Sequence, residues 1–165
     1  MCGAELRDRA TLAREVLATV MDPEVPVISL LDLGLVRALH SDDDGLEVVL
    51  TPTYSGCPAT ELIESMAREA LEAAGLGPVR VRLQRAPAWT TDWISDEGRR
   101  KLREYGIAPP GPRVEQTIRF ATPQVPCPRC GSQQTERLSA FGATACKALY
   151  RCRACAEPFE YFKPL

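Results

Sequence analysis

The sequence predicts an α+β protein in two parts: a small α-β-β-α-β sandwich domain over residues 1–105 and a four-cysteine domain over residues 126–165, joined by a proline-rich linker at 106–125. Three observations point there. Along the first part, apolar residues switch from helical spacing to strand-like runs and back. Five of the 14 prolines then crowd into "APPGPRVEQTIRFATPQVP", a composition that leans extended rather than packed. Beyond it stand Cys127, Cys130, Cys152 and Cys155, in two Cys-x-x-Cys pairs.

Leu6, Leu12, Val16, Leu17 and Val20 recur at helical spacing and predict a helix over about residues 5–20. Pro23 and Pro26 in "MDPEVPV" forbid its continuation. "LGLVRALH" and "LEVVLTP" flank "SDDDG", an arrangement of two strands around an Asp/Gly turn. Pro58 suits a first helical position. Leu62, Ile63, Met66, Ala70 and Ala73 then make one apolar stripe, and Gly75 and Gly77 stop the helix. "VRVRLQ" alternates and predicts a third strand. "SDEGRRKLREYG" predicts a short last helix with Ser95 as N-cap. Inside the linker, "VEQTIRF" can pair as an edge strand.

The chain has 165 residues, 45% hydrophobic and 25% charged, with net charge −2, as expected of a soluble globular protein. No apolar run approaches the roughly 20 residues that span a bilayer, and "MCGAELRDRATLARE" holds no apolar signal core. A cytoplasmic protein with no membrane partner is expected. Residues 1–105 carry 12 basic and 18 acidic side chains, residues 126–165 carry 6 and 3. The acidic first part is a poor nucleic-acid binder. In the tail, Arg129, Arg137, Lys147, Arg151, Arg153 and Lys163 are few, and docking onto an acidic protein suits them better than nucleic acid.

Seven cysteines is an odd number, and in a reducing compartment the pairs mean metal or thiol chemistry rather than a disulfide frame. The two pairs are separated by 21 residues. Each puts two sulfurs at one turn, and two such knuckles close a tetrahedron around zinc. A tail of about 40 residues cannot hold itself together by a hydrophobic core, so metal binding supplies its folding energy. Four thiolates leave no open position, which makes the ion structural; iron bound as in rubredoxin is the competitor. Gly131 eases the first knuckle, and Ala156 departs from that pattern at the second. Cys146 reads as a small buried residue, with a redox or transient-ligand role as the alternative. Cys2 carries no information.

"TPTYSGCPATELI" places Cys57 where a strand hands over to a helix. A thiol in a helix's first turn meets free N–H groups and the positive dipole end, which favour thiolate. Local context leaves two readings open, a reactive sulfur or a small residue filling a corner. Asp22 and Glu24, with Asp32 nearby, sit on a proline-stiffened turn as metal or partner ligands, or as caps of their own backbone. Asp42, Asp43 and Asp44 read as a solvated turn. His40 is the only histidine, weak support for acid–base catalysis. No Gly-rich phosphate loop, Ser-His-Asp set or His-Glu pair occurs.

"MDPEVPVISLLDLGLV", "TPTYSGCPA" and the βαβ pattern resemble the SufT-like metal–sulfur cluster biosynthesis domain over roughly residues 8–90. "PAWTTDWISDEGRRKLREYGIAPP" and the tail "FGATACKALYRCRAC" extend the resemblance across nearly the whole chain, to the PaaD (PaaJ) family of accessory components of the bacterial phenylacetyl-CoA 1,2-epoxidase system. Ala143 stands where a serine is expected. The resemblance implies a cytoplasmic maturation factor that helps place iron–sulfur clusters on target proteins, with structural zinc in the tail. Cys57 matches the family's reactive cysteine, and Asp22 and Glu24 its acidic motif. The implied client is the reductase component, which carries a 2Fe–2S cluster; the alternative is an integral non-catalytic subunit of the oxygenase. Cys57 would ligate iron or a cluster transiently. One thiol cannot hold a cluster, so a homodimer with a second Cys57, or client thiols, would complete the shell. "TTDW" (Thr90, Thr91, Asp92, Trp93) follows the third strand, and Trp89 and Trp93 are candidates for a partner anchor or for packing.

Overall fold

The computed structural model describes residues 3–111 and 124–164, so "VEQTIRF", most of the linker and Cys2 lie outside the described residues. The chain divides into two compact units, Met1–Trp89 and Thr90–Leu165. The first contains α1 (Gly3–Leu17), β1 (Val36–Asp42), β2 (Gly45–Leu50), α2 (Thr60–Ala73) and β3 (Val79–Leu83). Its sheet has the order β1-β2-β3. β1 and β2 form the expected antiparallel hairpin, and α2 carries the chain over to β3, which runs parallel to β2.

Both helices bury one face, but not quite the faces their periodicity suggests. On α1, Ala13 and Leu17 are sealed and Leu12 is 43% exposed. On α2, Ile63, Ala67 and Leu71 are buried, while Leu62 is 51% exposed. The buried sets step by four residues: Leu17 and Ile63 belong to the predicted stripes, whereas Ala13, Ala67 and Leu71 each stand one position after the predicted Leu12, Met66 and Ala70. The small Ala13 and Ala67 at their centres allow close approach.

At the hairpin turn, Asp44 N–H donates to Asp42 Oδ1 at 2.9 Å. Gly45 adopts φ +142°, and a Cβ there would fall 2.4 Å from the Pro78 carbonyl oxygen. That same oxygen accepts Leu46 N–H at 3.0 Å, which starts β3 beside β2 at the pair Leu46–Val79. The glycine therefore permits the contact that sets the parallel register.

The second unit contains a 3-10 turn at Thr91–Trp93, α3 (Asp96–Tyr105), β4 (Ile107–Ala108), β5 (Thr135–Ser139), β6 (Lys147–Cys152) and β7 (Pro158–Phe162). Ser95 caps α3 as expected, its Oγ accepting Gly98 N–H at 2.9 Å. Sequence patterning groups this helix with the first domain and places residues 106–111 in a linker. In the structure it falls in the second unit, because Ile107 and Ala108 pair in parallel with Glu160 and Tyr161. Arg99 fastens the segment by donating to the Thr91 and Pro110 carbonyls, each at 2.7 Å.

The ribbon sheet has the order β4-β7-β6-β5. Tyr150 stacks on Phe159 with ring centroids 5.8 Å apart and meets Tyr161 edge-on at 5.7 Å. Ala108, Val125, Cys127, Ala148 and Cys152 complete this small core. Lys147 is 3% exposed and lies 2.7 Å from Glu160. Glu160 Oε1 also accepts Ala143 N–H at 2.7 Å, tying the loop before β6 to β7. Such a pair loses more by the removal of one partner than it contributes as a whole.

Substituting Gly45→Ala should destabilise the protein by about 1–3 kcal/mol through overpacking against Pro78. Urea unfolding followed by far-UV circular dichroism measures it, and an unchanged midpoint would contradict the close approach.

Candidate functional site

Cys57 occupies the turn between β2 and α2. The strand ends with Thr51 N–H donating to the Leu35 carbonyl at 2.9 Å, and Cys57 N–H then reaches the Tyr54 carbonyl at 3.3 Å. Thr60 Oγ1 donates to the Cys57 carbonyl at 2.8 Å. The backbone N–H of Thr60 bonds to the same oxygen at 3.3 Å. These bonds delay the helix to Thr60, so Pro58 precedes it instead of opening it, and Ala59 is an N-cap without a side-chain bond.

The consequence for the sulfur is opposite to the one expected from a helix start. Cys57 is half-buried, and burial pushes its thiol above the ordinary range. The Ala59 N–H works downward, the Glu24 charge upward, the Thr60 side chain downward and the Asp22 charge upward. The net shift is upward. One backbone N–H and one hydroxyl cannot offset burial beside two carboxylates.

The structure thus brings Cys57, Asp22 and Glu24 into one electrostatic neighbourhood. Asp22 is 5% exposed, and its Oδ1 accepts the N–H groups of Glu24 at 2.9 Å and Val25 at 2.8 Å. That oxygen caps its own turn, one of the two readings of the sequence, and the cap holds Glu24 in place. Among the described residues, the four ribbon cysteines are the only group of three or more ligands that converges closely enough to share an ion. The two carboxylate charges both work to raise the Cys57 thiol. Thr60 was not singled out from the sequence; a threonine three residues after the cysteine was its only signal.

Of the other candidates, Asp32 N–H bonds Ser29 Oγ at 3.1 Å. His40 is exposed on β1, opposite Glu47. Trp89 is 4% exposed, and its Nε1 donates to the Leu33 carbonyl at 3.0 Å, which is packing. Trp93 lies in the 3-10 turn of the other unit, so the two indoles do not form a helical pair. Cys146 is buried, its sulfur 3.0 Å from Thr144 Oγ1.

In the ribbon, the Cys127 and Cys155 sulfurs are 3.9 Å apart and those of Cys130 and Cys152 are 3.6 Å apart. All four lie within 4.8 Å of one another. Four sulfurs at about 2.3 Å from a tetrahedral zinc stand about 3.8 Å from each other, so the quartet fits one ion. The knuckles prepare the sulfurs for it. Backbone N–H groups of Cys155 and then Ala154 bring the Cys152 thiol down to about 6. Cys130 accepts the Ser132 N–H, yet its neighbouring sulfurs drive it up to about 12. Cys152 ionises readily, while Cys130 and Cys155 hold protons that a cation would displace. Gly131 has φ 74° and Ala156 has φ 63°. The alanine thus takes the left-handed turn that its position requires, at a cost of about 1–2 kcal/mol.

Comparison with known proteins agrees with this division. A model of the iron–sulfur cluster assembly protein family matches residues 12–83, and a model of the PaaD zinc beta ribbon domain matches residues 111–163. The chain is 51% identical to an Escherichia coli K12 protein named as a subunit of a "Putative 1,2-phenylacetyl-CoA epoxidase", over 89% of this chain and 88% of that one. It is 36% identical to an "Fe-S protein maturation auxiliary factor" of Porphyromonas gingivalis, over 52% of this chain and 83% of that one. The crystal structure of a DUF59 domain from Bacillus anthracis superposes with a TM-score of 0.57 at 22% identity, covering 61% of this chain and 97% of that one, a likeness of fold.

Two outcomes test these sites. At neutral pH, iodoacetamide should alkylate Cys57 more slowly than an unhindered peptide thiol, with the rate climbing as pH rises past the usual thiol range. Glu24→Gln should speed it by removing a charge that favours the protonated form. Peptide mass spectrometry across pH checks both, and a rate already at its plateau below about pH 8 would refute the upward shift. Stripping the ribbon ion with excess chelator should abolish the near-UV circular dichroism of the packed Tyr150 and Tyr161, and zinc should restore it.

Proposed function

Because the chain belongs to the PaaD family, we propose that it is a cytoplasmic, non-enzymatic factor that delivers iron or an iron–sulfur cluster to the phenylacetyl-CoA 1,2-epoxidase system of aerobic phenylacetate degradation. Its proposed client is the 2Fe–2S reductase component. The observation that carries this reading is the half-buried Cys57 sulfur in the field of Glu24 and Asp22.

A thiol held protonated beside two negative charges is a poor nucleophile, but it suits a cation. An arriving iron ion meets an attractive potential. As the metal–sulfur bond forms, the thiol proton leaves, and the field that opposed ionisation now favours the bound cation. A single sulfur fills one of the four positions that an iron–sulfur centre usually takes from cysteines. The remainder would come from client thiols or from Cys57 of a second copy, and incomplete ligation keeps the cargo exchangeable. Zinc in the ribbon is structural in this scheme, since its four ligands leave no site for substrate. Similarity to the cluster assembly family and to the maturation factor supports delivery.

A second reading, an integral non-catalytic subunit of the oxygenase, is favoured by the name of the Escherichia coli relative. A stoichiometric complex that survives purification would support that reading over transient delivery.

In cells making Cys57→Ala, the reductase should lose most of its cluster while its polypeptide level is unchanged. Iron and sulfide per reductase molecule measure this, and full cluster content would rule out the role assigned to Cys57.

A further inference from the structure

The ribbon leaves two large apolar side chains outside. Phe141 is 63% exposed and Leu138 50%, whereas Tyr150, Phe159, Tyr161 and Phe162 of the same unit are each at 6% or less. Leu138 lies on β5, an edge strand that pairs only with β6, and Phe141 lies in the loop that follows β5. Leu138 sits in a bulge: Arg137 pairs with Tyr150 and Ser139 with Leu149, leaving it unpaired. A bulge blunts the edge against added strands and re-aims the side chain it carries. Three residues of chain put Leu138 and Phe141 at most about 11 Å apart, within a single partner's footprint.

The phenyl ring is held in place. Lys163 Nζ stands 4.4 Å from its centroid and donates to the Ala140 carbonyl at 3.1 Å. A side chain fixed while still exposed loses little freedom on docking. The surroundings are basic. Arg137 is exposed on β5, and Arg151 and Arg153 converge on one carboxylate, that of Glu136. With Lys163 these elements carry four cations against Glu136, while Glu160 beside the loop is paired with the buried Lys147.

We propose that this edge is a docking surface for an acidic protein partner, with Phe141 and Leu138 entering an apolar recess and the arginines and Lys163 meeting carboxylates around it. An apolar centre with a charged rim is the anatomy of a protein interface. A nucleic acid fits less well, because Glu136 sits among the few cations and Lys163 already covers the ring. The proposal rests on the delivery reading only for where to look, namely among the epoxidase proteins.

The test titrates the full-length, zinc-loaded chain with the purified reductase and with the purified oxygenase components. One of them should bind, and the Leu138→Ser/Phe141→Ser double variant should weaken that binding at least tenfold with unchanged circular dichroism. Arg137→Glu should weaken it as well and flatten its salt dependence. The proposal falls if no epoxidase protein binds, or if the double variant binds like wild type. It falls equally if what the variant loses is self-association or binding to DNA or RNA. If the patch variants lose binding while cluster content proves independent of Cys57, the delivery reading falls and the docking surface stands.

Discussion

Four sulfurs around one ion are the constraint on which the second unit depends. Its cysteine-bearing part, about 40 residues, is too short to hold together by a hydrophobic core alone, and the aromatic cluster is built directly onto the metal site: Cys127 and Cys152 belong to the same packed group as Tyr150, Phe159 and Tyr161. Metal binding and side-chain packing are therefore one cooperative event. The backbone N–H groups aimed at the sulfurs lower the cost of gathering thiolates before the cation arrives, and Ala156 accepts an unfavourable backbone angle so that its knuckle can close.

The same atom type does different work in the first unit because its neighbours differ. Around Cys152, backbone donors dominate and the thiol ionises early. Around Cys57, burial dominates and carboxylates add to it. The first environment suits permanent ligation with every coordination position filled. The second holds its sulfur protonated to a higher pH than a free thiol would be. Placing Glu24 requires no helix or strand, only the turn that Asp22 caps, so the field at the sulfur is set by a short and rigid loop.

Much of this was legible in the chain itself. The ribbon ligands follow from cysteine spacing, the hairpin from its Asp/Gly turn, and the start of α3 from Ser95. The phase of the buried helix faces was not, because Leu62 and Ile63 are adjacent and both apolar, and periodicity cannot choose between neighbours until the helix is docked. The start of α2 was misjudged because the Cys57 carbonyl captures Thr60, a preference with no signature beyond a single threonine. The sign of the thiol shift depends on residues more than 30 positions away in sequence, Asp22 and Glu24, whose nearness only folding creates. The two-residue β4 carries no period at all and could not be anticipated.

That last element bears on how the molecule can be dissected. A fragment cut at the cysteine-rich boundary, starting near residue 126, would discard Ile107 and Ala108 and strip β7 of its outer neighbour. Hydrogen-bonding groups facing β4 would be bared beside the vacancy left by Ala108, a template that invites fibrillar self-pairing. The natural seam for separating the halves lies at Trp89–Thr90, well upstream of the last proline cluster.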